Sequence, residues 1–243
     1  MTFEKLNEND RQYYVFFDLD ETLISVKSMF SFLKFFCQRH KNGFLFRGSW
    51  IYFMYLYKLK LLSYFGKPRE YINLCYYRFF RGIDEKLLKY TCGEWFRENI
   101  ENNQYFFNKK LLALLEMHKK QGGIPVLVSG SFVECVKPIA KFCGVQYWLA
   151  IHLEKDLNKK YTGNILPPQT IGSGKMTAIR EFLRQNKFYD YARCFAYGDH
   201  ISDKPMLGLV GNPYAVIHSH NKSFENYARS MGWKIIQTSL DEN

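Results

Sequence analysis

A chain of 243 residues with 47% hydrophobic and 18% aromatic residues is long enough to bury a substantial core and too apolar to stay disordered. Its formal net charge of +11 suits nucleic acid, a small anionic substrate or an anionic membrane surface alike, so charge sign does not choose among them. Six scattered cysteines, with no Cys-x-x-Cys pair and no His cluster at zinc spacing, exclude a zinc framework and point to a reducing, cytoplasmic setting.

The chain begins with the polar stretch "MTFEKLNENDRQ", which has no apolar h-region and predicts no secretory signal. "YYVFFDLDETL" follows, an unbroken apolar run that reads as a buried strand and ends on Asp18 and Asp20. From Lys27 to Glu98 the composition shifts: this segment holds 14 Lys and Arg against 5 Asp and Glu, and 21 of the 44 aromatic residues. "SMFSFLKFF", "EYINLCYYRFF" and "DEKLLKYTCGEWFREN" carry apolar residues at three and four spacings, so helices are expected, with breaks at Gly66, Pro68 and Gly82. The most apolar tract, Trp50 to Leu62, is interrupted by Lys58 and Lys60. It falls short of the roughly 20 apolar residues that a membrane-spanning helix needs.

Beyond about Asn108, helix and strand alternate. "KKLLALLEMHKKQ" predicts a helix closed by Gly122-Gly123, and "IPVLVSG" a buried strand ending at Gly130. "VECVKPIAKFCG" predicts a helix that holds Pro138 in an early turn and stops at Gly144. "VQYWLAIHLEKDLNKKYTGNIL" predicts a short strand and a hairpin, and "GKMTAIREFLRQN" a helix. "ARCFAYGD" reads as a strand, "SDKPMLGLV" as a short helix, "PYAVI" as a strand, Phe224 to Met231 as a helix and "WKIIQT" as a last strand. This alternation implies an α/β fold, a Rossmann-like parallel sheet with helices on both faces. The basic aromatic segment is then an inserted all-α unit, giving a core of 1–24 and 106–243 and an insert of 25–105.

Ligands of such a sheet bind at the carboxyl ends of its strands. Three predicted strands end there in polar groups: Asp18-Leu19-Asp20-Glu21-Thr22, Ser129-Gly130-Ser131, and Gly198-Asp199 followed by Asp203. Carboxylates gathered at one edge repel one another unless a cation offsets them. Mg²⁺, which takes one or two carboxylates plus phosphate oxygens, is the natural complement. Lys175, early in a helix after "TIGSG", adds a fixed positive charge, so a phosphate site is expected.

Together these pieces resemble the haloacid dehalogenase superfamily, in its phosphoserine-phosphatase-like branch with an inserted helical cap. The residues that carry the resemblance are "DLDET", "LVSGS", "GSGKMTAI" and "GDHISD", in the family's order, with "KPIAKFCGV" and "KYTGNI" also similar. Each motif alone is an ordinary turn or cap, and it is their joint order that makes them specific.

The resemblance implies that Asp18 is a nucleophile forming an aspartyl-phosphate and Asp20 a general acid/base. It implies that Ser129, Gly130 and Lys175 bind the phosphoryl group. Asp18, Asp199 and the backbone carbonyl of Asp20 would hold Mg²⁺, Thr22 would brace the turn and Asp203 would act through water or orient Lys175. Dehalogenases and transport ATPases of this superfamily lack an acid/base aspartate at the second position. Asp20 therefore favours phosphomonoester hydrolysis, with a phosphomutase less favoured and a non-catalytic binding module an alternative of another class.

For substrate, phosphoserine phosphatases of the branch carry a glutamate nine residues after the nucleophile, where this chain has Lys27. A lysine cannot neutralise an ammonium group, so phosphoserine is disfavoured. A sugar, polyol or amino-alcohol phosphate is expected instead. The alternative is a phospholipid of the phosphatidylglycerophosphate type, since "MFSFL" and "WFREN" resemble stretches of such phosphatases. His200 is a second candidate for specificity, while His152, His218 and His220 read as histidines without a metal partner set, those of "HSH" as solvated loop residues. For the insert, a helical cap with its own small aromatic core leads, peripheral contact with a membrane follows, and nucleic acid is disfavoured because no known motif for it is present.

Overall fold

The structure, a computed structural model, describes residues 12–40, 47–218 and 221–238. The expectations for residues 1–11, for 43–46 and for His220 lie outside the described residues. Strand β1 (Tyr13–Asp18) leads into four helices, α1 (Ser28–Arg39), α2 (Arg47–Tyr64), α3 (Arg69–Tyr77) and α4 (Glu85–Asn102). Helix α5 (Lys109–Lys120), β2 (Gly123–Phe132), α6 (Val133–Phe142), β3 (Tyr147–Lys155) and β4 (Tyr161–Leu166) come next. The chain ends with α7 (Ser173–Gln185), β5 (Phe195–Gly198), α8 (Lys204–Leu207), β6 (Asn212–His218), α9 (Lys222–Ser230) and β7 (Lys234–Thr238).

The seven strands form one sheet in the order β4-β3-β2-β1-β5-β6-β7, with every pair parallel except β3 with β4. β1 thus lies at the centre, and its side chains alternate between two apolar layers. Tyr14 and Phe16 pack with Ile179 and Phe182 of α7 and Phe224 of α9, while Val15 and Phe17 join Leu111 and Leu115 of α5. The α/β fold anticipated from the alternation is the one found.

Three local expectations are corrected. Pro138 is the sixth of ten residues in α6, in its interior rather than in an early turn. Its missing N–H costs that helix one bond, which the burial of Cys135, Val136, Ile139 and Ala140 against the sheet outweighs. The short strand and the first arm of the expected hairpin are one nine-residue strand, β3, whose first half pairs with β2 and whose second half pairs antiparallel with β4 to form that hairpin. The insert's aromatics also do not form a core of their own. Phe32, Tyr77 and Phe80 surround Phe132 of β2 with ring centroids 5.4–5.9 Å apart, and the insert shares one continuous apolar cluster with the α5–α6 face of the sheet.

Backbone bonds fix the insert on one side as well. The Gly82 and Tyr161 amides donate to the Tyr161 and Ile83 carbonyls at 2.7 and 2.9 Å, and the Glu85 amide donates to Lys159 at 3.0 Å. Asp84 caps α4 by accepting from the Lys86 and Leu87 amides. Because insert and sheet share one core, we expect a single unfolding transition reported identically by far-ultraviolet circular dichroism and tryptophan fluorescence. We expect Phe132→Ala, which removes the ring at the junction, to lower stability by about 3–5 kcal/mol in urea titration without splitting that transition.

Candidate active site

Strands β1 and β5 are neighbours in the sheet, so Asp18 at the end of one and Asp199 just past the end of the other come together at the carboxyl edge. The chain then turns sharply, with Glu21 in the left-handed region at φ 57°. This turn directs Asp20 towards α1, where its Oδ1 accepts from the Ser28 amide at 3.1 Å. Thr22 Oγ1 donates to Asp199 Oδ1 at 3.1 Å and has Asp18 Oδ2 at 3.5 Å; its single proton serves the nearer oxygen and ties the two strand ends together.

Lys175, in the first turn of α7, is almost fully buried and bonds to Asp18 Oδ1 and, at 2.7 Å, to Asp203 Oδ1. The loop before it admits only glycine at 174, since a Cβ there would lie 1.8 Å from the Gln169 carbonyl oxygen. Gly198 is needed for the same reason, because its Cβ would meet the Asp203 side chain at 2.9 Å. Asp203 Oδ2 accepts from the His200 amide at 3.1 Å, so both of its oxygens are engaged.

One oxygen from each of Asp18, Asp199 and Asp203 lies within 4.8 Å of the others, and all three residues are buried. With Asp203 engaged by Lys175 and His200, Asp18 and Asp199 are the pair left to face a cation. Burial pushes the Asp18 carboxyl up to about 6, against the pull of the Lys175 ammonium and with some help from Asp203. Burial pushes Asp20 up to about 7, against its bonds with Ser28. Asp199 is raised well above the usual carboxylate range, by burial first and then by Asp18 and Asp203. Burial disfavours the charge on Lys175, yet Asp18 and Asp203 together hold it above the ordinary lysine value. Four carboxylates against one ammonium is a donor set that lacks positive charge. Oxygen ligands in such a set fit a hard divalent cation.

Ser129 and Gly130 lie near the end of β2 beside these groups. Ser129 Oγ accepts from the Ser131 amide at 3.0 Å, and the Ser129 carbonyl accepts from Thr170 Oγ1 at 2.5 Å. The Gly130 carbonyl is held from the insert by the Tyr77 hydroxyl at 2.7 Å and Asn73 Nδ2 at 3.3 Å. A cavity of about 550 Å³ lies between the sheet edge and helices α1–α3, and Asp18, Asp20, Ser129, Gly130, Lys175 and Asp199 all line it. Asp203, His200 and Lys27 line it too, so Thr22 alone among the expected site residues lies behind the wall.

Lys27 lines the cavity as one half of an ion pair, its Nζ 3.2 Å from Glu21 Oε2. One expectation changes. His218 is buried rather than solvated, bonded through Nε2 to the Glu21 carbonyl at 2.6 Å and through Nδ1 to Thr238 Oγ1 at 3.0 Å, where it fixes the turn after Asp20. His200 accepts at Nδ1 from Arg69 at 2.8 Å and from the Ser202 amide at 3.1 Å, which places any imidazole proton on Nε2. Burial and then the Arg69 charge lower its pKa, so it stays neutral. Sequence reasoning missed Arg69, Asn73, Tyr77 and Thr170. Thr170 opens the quoted "TIGSG" loop, the other three sit in no motif, and only the Gly66 and Pro68 breaks marked that a new helix starts beside Arg69.

The profile of the haloacid dehalogenase-like hydrolases matches residues 15–208. The chain therefore belongs to that family, and it is an enzyme of the phosphatase class within it. It is 31% identical over 225 residues to the "inhibition of morphological differentiation protein" of Streptomyces azureus, covering 91% of this chain and 76% of the relative. A probable phosphatase of Mycobacterium tuberculosis is 30% identical over 227 residues, covering 92% of this chain and 75% of that one. Among solved structures, a Bordetella pertussis protein of unknown function superposes with a TM-score of 0.80 at 22% identity, over 93% of this chain and 98% of its own. A substrate-bound phosphoserine phosphatase superposes at 0.62 with 14% identity, over 93% and 92%. These two superpositions bear on the fold.

The raised carboxyls give the site a defined effect on stability. A carboxyl whose folded pKa lies above its unfolded one contributes stability at low pH and loses it as pH rises through the folded value. In chelator, the protein should therefore lose stability as pH rises from the ordinary carboxylate value of 3.8 through about 7. Asp20→Asn should raise the thermal midpoint in chelator at pH 8 and leave it nearly unchanged at pH 4, as measured by differential scanning fluorimetry.

Proposed function

We propose that the chain is an Mg²⁺-dependent phosphomonoester hydrolase that works through an aspartyl-phosphate on Asp18, in a reducing, cytoplasmic setting suited to its six buried cysteines. The observation that carries this reading is the meeting of Asp18, Asp20, Asp199 and Lys175 on one cavity wall at the carboxyl edge of a parallel sheet. Asp18 attacks phosphorus in line, forming an acyl-phosphate bond as the ester P–O bond breaks. Asp20, pushed up to about 7, holds a proton at neutral pH and delivers it to the leaving alkoxide. Asp20 then takes a proton from the water that attacks the acyl-phosphate, which frees inorganic phosphate and restores Asp18.

Lys175 and the hydroxyl of Ser129 face the phosphoryl oxygens. Among the described residues no acceptor takes the Ser129 hydroxyl proton, while its oxygen is already held by the Ser131 amide. Asp18, Asp199 and the backbone carbonyl of Asp20 are the groups that would hold Mg²⁺. When bound, the cation offsets the charge of the carboxylates and of the phosphoryl group. Asp203 keeps Lys175 aimed, and residues 25–105 serve as the cap that encloses the substrate.

The leaving group meets Arg69, Lys60, the Lys27–Glu21 pair and neutral His200. This environment supports a neutral or anionic leaving group, and hence a sugar or polyol phosphate ahead of phosphoserine or an amino-alcohol phosphate, whose ammonium groups it would repel. One observation favours a phospholipid phosphatase as the second reading. Phe30, Leu56, Leu59 and Ile72 make one cavity wall apolar, as an acyl-bearing substrate would require.

The test is hydrolysis of an aryl phosphate, then of a phosphomonoester panel that includes phosphoserine, histidinol phosphate, sugar phosphates and a lysophosphatidic acid. Turnover is expected with Mg²⁺, is expected to vanish in chelator, and should fall to background in Asp18→Asn. Asp20→Asn should lower turnover by about 10²–10⁴-fold. Full turnover by Asp18→Asn would overturn the mechanism.

A further inference from the structure

Helix α2 has two unlike faces. Leu59 is buried, and Leu56, Leu59 and Ser63 line the cavity, which Lys60 also reaches from the border between the two faces. Outward, Trp50, Phe53, Met54, Tyr57, Leu61 and Tyr64 recur at spacings of three and four and form one continuous stripe along the helix. Trp50, Phe53, Tyr57 and Tyr64 are 60–84% exposed. Lys58 and Lys60 flank this stripe on its two sides, both exposed. No Asp or Glu occurs between Arg39 and Arg69, whereas Lys41, Arg47, Lys58, Lys60 and Lys67 do.

We infer that this outer face of α2 docks on an anionic lipid surface. A band of Trp, Tyr and Phe edged by lysines suits the boundary between headgroups and acyl chains, where aromatic rings enter and long basic side chains reach back to lipid phosphates. Charge argues against a second copy as the occupant. An isologous dimer through this face would set each copy's acid-free basic segment against the other's. No helix among the described residues is long and apolar enough to cross a membrane, so the contact is peripheral. Docked this way, the protein holds its cavity about one helix diameter, ~10 Å, from the headgroups. The docking goes beyond the phosphatase reading and does not depend on it.

Co-sedimentation of the full chain with vesicles tests the inference. Vesicles of equal phosphatidylglycerol and phosphatidylcholine should bind the chain at low salt. They should release it at about 1 M salt, where the screening length is about 3 Å, and pure phosphatidylcholine should bind it weakly. Lys58→Gln and Lys67→Gln should each weaken partitioning by about fivefold. Phe53→Glu and Tyr57→Glu should abolish it while aryl phosphate hydrolysis and the thermal midpoint stay at wild-type values. Absence of binding to the anionic vesicles at low salt overturns the inference. So does a solution dimer that Phe53→Glu converts to monomer, because a second copy then covers the face. A chain that binds vesicles as described but hydrolyses no phosphomonoester supports the docking and overturns the phosphatase reading alone.

Discussion

Four carboxylates share one buried ammonium at the carboxyl edge of the sheet, and the surrounding structure is arranged to hold that imbalance. Bringing Asp18, Asp199 and Asp203 to within 4.8 Å of one another works against both desolvation and mutual repulsion. The elements that keep them there are correspondingly specific. Gly198 lets Asp203 approach the end of β5, Gly174 lets the loop before α7 fold under Lys175, and Thr22 ties Asp199 to the turn after β1. His218 and Thr238 carry this bracing to β6 and β7, so the site rests on more than half the width of the sheet. A donor set so short of positive charge suits the proposed chemistry, in which a cation would relieve the carboxylates and phosphate oxygens would engage Lys175.

The same edge explains why the insert is fused to the sheet. Tyr77 and Asn73 donate to the Gly130 carbonyl, beside the proposed phosphate-binding Ser129, and Gln169 Nε2 reaches Asn73 Oδ1 at 2.9 Å from the loop that positions Lys175. The insert therefore contributes to the geometry of the phosphate end of the cavity as well as to its roof. Its start of α4 is fixed to the β3–β4 hairpin by backbone bonds, and its aromatic rings close around Phe132. Helix α2 is tied differently, through side chains such as the Tyr55 hydroxyl bonded to the Cys75 carbonyl and the buried Leu59.

How much of this could be read in the chain follows from what each part depends on. Strand and helix alternation is a local property, and β1, β2, α5, α7 and β7 came through because their apolar periods are clean. Asp18, Asp20, Ser129, Lys175, Asp199 and Asp203 were legible because each closes a strand or opens a helix, so a one-dimensional pattern marks a three-dimensional edge. Pairing partners were not. Nothing near Lys27 in the sequence says that Glu21, in a left-handed turn, takes its charge. His218 read as solvated because its two partners, the Glu21 carbonyl and Thr238, are 197 and 20 residues away. Tyr77 and Asn73 looked like ordinary aromatic and polar residues of a helix. Their role arises only once α3 lies over the end of β2.

Helix α2 shows how one element can be apolar on two faces for two reasons. A helix that merely roofed a polar cavity would turn its apolar side inward and expose charge, as α7 does with Arg180, Arg184 and Glu181 outward. Here the inward side is satisfied by Leu56 and Leu59, and yet the outward side carries Trp50, Phe53, Tyr57 and Tyr64 rather than charge. Exposed rings of that size are unfavourable in water, and nothing in the packing of α2 among the described residues requires them. The lysines stand at the borders of the stripe and leave its centre apolar, an order that divides a surface between an apolar phase and an anionic one. A basic, aromatic face on the roof of a phosphate-binding cavity thus joins the two features that the composition showed first, the excess of positive charge and the excess of aromatic rings, in one helix.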